Sequence, residues 1–337
     1  MGASMNKPQN SFAVMPDLQR RMPRPNSRWL WAWRVWYRLR ATWRHLRVSR
    51  GFTRLLGPQY IRSRDMIEID ITYLCNMHCL NCNRSVTQAR EAAHMPMEMV
   101  TRFVDDSVAR QKVWRRIRVL GGEPTLHPEF ERVMAELLRY KAVYPEAIVE
   151  VVSNGYGTRV QKTLAALPPE VMIDNTEKES PIQPSFGPFN MAPVDDPRYR
   201  KSAFVNGCAV LEDCGMGLTP MGYYPCAVAG GIDRILGENL GVAELPADDD
   251  DMGPAAERLC SLCGRFRDGH FVPRALRPAL EEERMSPSWR RLYGEWHQRR
   301  MGIGGQTVKH GDVADGPPAA SSPETPVIGL PDAEIAE

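Results

Sequence analysis

Three cysteines, Cys75, Cys79 and Cys82, stand in the run Cys-Asn-Met-His-Cys-Leu-Asn-Cys. Soft thiolates select iron–sulfur clusters or zinc. At CxxxCxxC spacing on one short loop they can hold three corners of a four-iron cluster and leave the fourth iron without a protein ligand. Closed electron-transfer and structural clusters normally take four cysteines. Zinc sites pair CxxC motifs and complete the tetrahedron with another Cys or a His. His78 lies inside the triplet, so the triplet alone leaves zinc open.

Two further segments could serve such a centre. Gly121-Gly122-Glu123-Pro124 follows a short apolar run at 117–120, and Ser153-Asn154-Gly155 follows another at 147–152. Paired glycines allow a backbone to approach a ligand closely. Glu123 adds negative charge for a ligand's ammonium, and Pro124 stiffens the turn. Each segment alone is also an ordinary turn. Asn175, Thr176, Glu177 and Lys178 follow a third apolar run, at 171–173, and could reach a substrate.

Five cysteines remain: Cys208, Cys214, Cys226, Cys260 and Cys263. Four of them suffice for a second, fully ligated four-iron cluster. The same residues could form a zinc ribbon, with Cys208 or Cys214 joining the other three. Cys208 and Cys214 compete for one corner.

With the triplet and the Gly-Gly-Glu-Pro turn together, residues 66–265 resemble the radical S-adenosylmethionine (radical SAM) superfamily. The resemblance implies a [4Fe-4S] cluster on Cys75, Cys79 and Cys82. It implies that Gly121, Gly122, Glu123 and Pro124 meet the methionine end of S-adenosylmethionine, with Ser153 and Asn154 near its ribose or carboxylate. Cys214 to Cys226 resembles the cysteine-bearing hairpin of SPASM and twitch auxiliary domains, with Cys260-Ser-Leu-Cys263 as the returning pair. Too few cysteines remain for two auxiliary clusters, so the one-cluster twitch form is expected. One departure is visible. The family usually places an aromatic residue before the third cysteine, where this chain has Asn81.

The surrounding pattern supplies a scaffold. Residues 66–74 read as a buried strand, with Ile67, Ile69 and Ile71 alternating with Glu68, Asp70 and Thr72. Helices are expected at 97–109, 128–140 and 162–167, and strands at 117–120, 147–152 and 171–173. Strands alternating with helices imply an α/β fold with a parallel sheet, which the resemblance makes a partial, shortened radical SAM (β/α) barrel with a small Cys-rich auxiliary-cluster domain. No helix pattern appears between 175 and 207. A final helix is expected at 286–300. The expected organisation is a disordered N-terminus (1–27), a basic Trp/Arg-rich helical segment (28–62), the barrel (63–204), the auxiliary domain (205–270), a C-terminal helical segment (271–301) and a disordered tail (302–337).

Charge is unevenly distributed. The 337 residues carry a formal net charge of +2. Residues 1–65 hold fourteen Lys/Arg against Asp17 and Asp65 alone, so the remainder is acidic. Residues 28–56 interleave Trp29, Trp31, Trp33, Trp36 and Trp43 with arginines. Such a helix can dock on the catalytic domain with Trp buried and Arg stems snorkelling. It can also contact an anionic membrane surface; nucleic acid is the weakest of the three readings. No apolar stretch is long enough to span a membrane, no secretory signal is read, and eight cysteines suit a reducing compartment. The expected location is cytoplasmic, with membrane association through residues 28–56.

The implied activity is reductive cleavage of S-adenosylmethionine and hydrogen abstraction from a small molecule such as a polyol, aminosugar or sugar nucleotide, with net oxidation. A ferredoxin or flavodoxin would supply electrons. The alternatives are a peptide-modifying radical SAM enzyme and a non-catalytic iron–sulfur or SAM-binding partner subunit.

Overall fold

Strand β1 (Met66–Thr72) is buried at every position, so its isoleucine face and its acidic face are both covered. The computed structural model describes residues 26–183, 186–273, 275–277 and 279–302. Expectations for residues 1–25 and 303–337 lie outside the described residues.

The sheet builds outward from β1. β2 (Arg116–Gly121), β3 (Ile148–Ser153) and β4 (Val171–Asn175) add in parallel on one side. Helices α3 (Met97–Ala109), α4 (Phe130–Val143) and α5 (Thr158–Ala165) alternate with them, as α/β connections require. Val100, Phe103 and Val104 of α3 and Val133, Met134 and Leu137 of α4 close on Ile67, Ile69, Ile117, Val119, Val149 and Val151. Trp114 is sealed in this core, its indole N–H donating to Ser107 Oγ at 3.0 Å.

The other side of β1 was not legible in the sequence pattern. β5 (Met216–Thr219) pairs with β1 in parallel, and β6 (Gly222–Tyr224) turns back antiparallel to it. The sheet order is therefore β4-β3-β2-β1-β5-β6. Between Cys214 and Cys226, β5 and β6 form a hairpin that extends the main sheet. Gly217 makes this possible, because a Cβ there would meet Ala227 N at 2.1 Å.

Between β4 and α6 (Val210–Asp213) the described chain makes only 3-10 turns, at Pro193–Asp195, Pro197–Tyr199 and Phe204–Asn206. α7 (Ala227–Leu236), α8 (Gly253–Cys260) and α9 (Arg265–Asp268) follow the hairpin. A second core joins α7, α8 and the terminal helix α10 (Pro287–Arg300) through Ile232, Ile235, Leu259, Trp289, Leu292 and Trp296.

The basic N-terminal segment forms α1 (Leu30–Arg47) and α2 (Arg50–Leu56). Its docking corrects the snorkelling expectation. Arg44 and Arg47 are the buried residues of α1, whereas Trp29, Trp31, Trp36 and Trp43 are exposed. Arg44 donates to the carbonyls of Gly207 and Phe266 and to Gln59 Oε1. The acidic loop at 248–251 is exposed and carries the Lys112–Asp248 and Arg64–Asp251 ion pairs.

Candidate functional site

β1 delivers its C-terminal end to the cysteine loop. Cys79 and Cys82 are buried and Cys75 partly so. The sulfur of Cys75 accepts from the Met77 N–H at 3.4 Å and from the Asn154 amide at 3.7 Å. Burial pushes the Cys75 thiol up to about 11, against the pull of the Met77 N–H, and burial also raises Cys79. Lys178 brings positive charge to both thiols. A coordinated cation deprotonates such thiols outright.

The Gly-Gly-Glu-Pro turn lies directly beneath this loop. Gly122 N donates to Thr72 O at 2.7 Å, and Glu123 N donates to Leu74 O at 2.8 Å. A Cβ on Gly121 would meet Thr72 O at 2.2 Å, and one on Gly122 would meet Leu74 O at 2.2 Å. The glycines thus let the second loop run against the backbone of the cysteine loop.

Glu123 is fully buried, at 0% exposure. Its carboxylate accepts from Ser153 Oγ at 2.9 Å, Asn154 N at 2.8 Å, Thr125 Oγ1 at 2.8 Å and Thr125 N at 3.3 Å. Burial raises its carboxyl, and these donors oppose the rise. Its oxygens are engaged by its own turn, through Thr125, and by the loop after β3, through Ser153 and Asn154. The Asn154 side chain donates to Asn76 Oδ1 at 2.9 Å, and Asn76 donates to Tyr156 O at 2.7 Å. Thr176 Oγ1 donates to Ser153 O at 2.8 Å. The ends of β1 to β4 are therefore one hydrogen-bonded ring. Pro124 opens the 3-10 turn that follows β2. Asn175 fills the space above Gly155, where a Cβ would meet its Oδ1 at 2.0 Å.

These loops and strands coincide with a known family. Residues 69–173 match the model of the radical SAM superfamily. This segment is similar to a radical SAM domain. No curated protein matches the chain. A solved structure of BtrN in complex with AdoMet and 2-DOIA matches 61% of this chain and 94% of its own, at 14% identity and a TM-score of 0.36. Selenomethionine BtrN in an open conformation matches 62% of this chain and 88% of its own, at 17% identity and a TM-score of 0.33.

The radical SAM domain implies a [4Fe-4S] cluster and S-adenosylmethionine. The donor set fits the cluster: three thiols on one loop, with N–H groups aimed at a sulfur as outer hydrogen bonds of such centres are. The departure at Asn81 has a structural cause. Its backbone has φ 55° and its side chain is buried. Asn81 N donates to the Glu283 carboxylate at 2.7 Å, its amide donates to Glu282 O at 2.9 Å, and its Oδ1 accepts from Arg284 N at 3.2 Å. An aromatic ring could make none of these side-chain bonds.

The face of the sheet opposite the apolar core is ionic. Arg84 bridges Glu68 at 2.9 Å and Asp70 at 3.1 Å. Arg118 reaches Glu68 at 2.7 Å, Glu150 at 2.8 Å and Asp174 at 3.3 Å. Burial alone would lower Arg84, but the Asp70 and Glu68 carboxylates hold it well above its ordinary range. On the same face Leu120, Val152 and Met172 remain partly exposed, Met172 level with Glu150 and Val152 level with Asp174. Oδ1 of Asp174 is buried and has no hydrogen-bond partner. Burial, then the neighbouring Glu150, pushes Asp174 up to about 6.

The other cysteines divide four and one. Cys208, Cys226, Cys260 and Cys263 line a common small cavity with Leu211, Val228, Leu259 and Phe266. The thiols of Cys226, Cys260 and Cys263 interact electrostatically with Cys208. Burial raises all four, Cys263 to about 12. Cys214 lies elsewhere, with its sulfur 3.9 Å from Arg118 beside Glu68. Cys214 is placed apart from the other four, because β5 carries it to the edge of β1. Among the described residues no group of three or more His, Cys, Asp or Glu is arranged to hold a single metal ion.

Proposed function

We propose that the chain is a radical SAM enzyme that oxidises a small polar molecule of the polyol, aminosugar or sugar-nucleotide class. One observation carries the reading. Asn154 donates both to Cys75 and to Asn76 of the cysteine loop, while its backbone is held by Glu123. The three motifs are therefore one site in space.

When bound, a four-iron cluster with S-adenosylmethionine supplies a 5′-deoxyadenosyl radical that takes hydrogen from carbon. Cys75, Cys79 and Cys82 are the residues that would hold the cluster. Gly121, Gly122, Ser153 and Asn154 shape the neighbouring pocket for S-adenosylmethionine, and Glu123 fixes their backbone. The partly exposed Leu120, Val152 and Met172 form an apolar floor beside the free oxygen of Asp174. That oxygen accepts a hydrogen bond from a substrate hydroxyl or ammonium. The thiols of Cys208, Cys226, Cys260 and Cys263 are the donor set for a second four-iron cluster, an electron acceptor of the kind a net oxidation needs. A small reducing protein such as a ferredoxin or flavodoxin is the natural electron donor.

The test is anaerobic reconstitution with iron and sulfide, then dithionite and S-adenosylmethionine. The expected product is 5′-deoxyadenosine, absent in Cys79→Ala. A chain that holds about four irons at the triplet and makes no 5′-deoxyadenosine would be a non-catalytic partner subunit. Deuterium transfer into 5′-deoxyadenosine from labelled polyols or aminosugars assigns the substrate class; transfer from peptides alone would move the assignment to a peptide modifier.

A further inference from the structure

An apolar arc of α1 points away from the protein. Trp31, Val35, Leu39, Trp43 and Leu46 recur at helical spacing, and all are exposed, Trp31 at 62% and Leu39 at 65%. With Ala32 and Trp36 they span roughly 140° of the helix at 3.6 residues per turn. Arg34 and Arg38 flank this arc on one side and Arg40 on the other. The opposite side of the helix is fixed to the protein by Arg44 and Arg47.

α2 continues the patch. Its Phe52 ring lies 6.4 Å from Trp43, and Leu55 and Leu56 are exposed at 78% and 54%. Arg50 and Arg54 of α2 are exposed as well. No acidic residue occurs from residue 18 to residue 64. A contiguous exposed apolar patch of this kind marks an interaction surface.

We propose that α1 and α2 dock this protein on an anionic phospholipid bilayer, lying in the plane of the interface. Three features select lipid. The arc is apolar with tryptophan at its margins, where indoles favour the headgroup level. The flanking charges are arginines, which match acidic headgroups. A second copy of the chain would set arginine against arginine across the contact, with no acid on either side to pair. No described helix is long and apolar enough to cross a membrane, so the contact is with the surface.

The experiment is co-flotation of the full-length, cluster-loaded chain with vesicles of 70:30 phosphatidylcholine:phosphatidylglycerol at ~0.15 M salt, where the Debye length is about 8 Å. The wild type is expected to float with these vesicles and at least ten-fold less with pure phosphatidylcholine. Trp31→Ser/Leu39→Ser/Trp43→Ser and, separately, Arg34→Glu/Arg38→Glu are expected to lose flotation by at least ten-fold. All five side chains are exposed, so both variants should melt with the wild type. Absence of wild-type flotation overturns the proposal, as does undiminished flotation of the triple variant. A wild-type dimer that the triple variant dissolves, without flotation, would instead assign the patch to a second copy.

Discussion

The backbone N–H of Asn81, in the cysteine loop, donates to the carboxylate of Glu283 at 2.7 Å. Glu283 also accepts from Gln88 at 2.6 Å and Asn190 at 2.7 Å, so one carboxylate ties the cysteine loop to the chain entering α10. Hydrogen bonds to a charged acceptor contribute about 1.5–3 kcal/mol each. Glu283→Ala is expected to cost about 3 kcal/mol and to accelerate iron loss from the triplet. Thermal melts of the wild type and variant, with iron retention followed over time, check both.

Asn81→Phe restores the aromatic residue usual in the family and should nevertheless destabilise the chain. A bulky side chain at positive φ is an outlier, and the bonds to Glu282 and Arg284 are lost. The expected loss is about 2–4 kcal/mol by the cost of unsatisfied buried groups, read by denaturant midpoint. A variant as stable as the wild type would show that the strap contributes little.

Glu123 separates a charge role from a clamp role. Glu123→Gln keeps one acceptor oxygen and replaces the other with a donor facing donors already present. Glu123→Ala leaves Ser153 Oγ and the Asn154 N–H without their acceptor in a buried site. Glu123→Ala should lower stability by about 3 kcal/mol and weaken binding of S-adenosylmethionine by displacing Asn154. Calorimetric titration of the cluster-loaded variant tests this. Tight binding with intact stability would contradict the clamp.

Local periodicity made the helices and parallel strands from 66 to 175 legible, because the core face of each is set by its own residues. Long-range placement was not legible. Nothing in residues 214–226 states that β5 will lie beside β1, and that pairing is what takes Cys214 from the other four cysteines. The Trp/Arg segment misled for a related reason. Hydropathy favours burying tryptophan, but Arg44 meets the carbonyls left at Gly207 and Phe266 and buries in its place. The alternation in β1 marked the strand, yet did not show that arginines from β2 and from the cysteine loop would cover Glu68 and Asp70.

The cysteine division gives an iron count. In a Cys75→Ala/Cys79→Ala/Cys82→Ala background, about four irons per chain should remain. Adding Cys208→Ala should abolish them, whereas adding Cys214→Ala should not, because Cys214 is outside the cavity. Iron and acid-labile sulfide analysis after anaerobic purification reads the result. Iron loss with Cys214→Ala and retention with Cys208→Ala would reverse the assignment.

Asp174 should make stability depend on pH with a definite sign. Its folded carboxyl is raised to about 6, chiefly by burial and then by Glu150. An unfolded Asp titrates near 3.9, so between these values the folded chain binds more protons. Stability then falls as pH rises, and levels off above about 6. The Arg118 contact opposes the rise, and the effect is of the order of 1 kcal/mol. Asp174→Asn stays uncharged throughout, so the wild type should lose stability relative to it between about pH 4 and pH 6. Denaturant melts of both proteins across that window measure the difference. A flat difference would mean that Asp174 is ionised throughout, held so by Arg118. If Asp174→Asn also weakens substrate binding while leaving uncoupled 5′-deoxyadenosine formation intact, the free oxygen faces substrate.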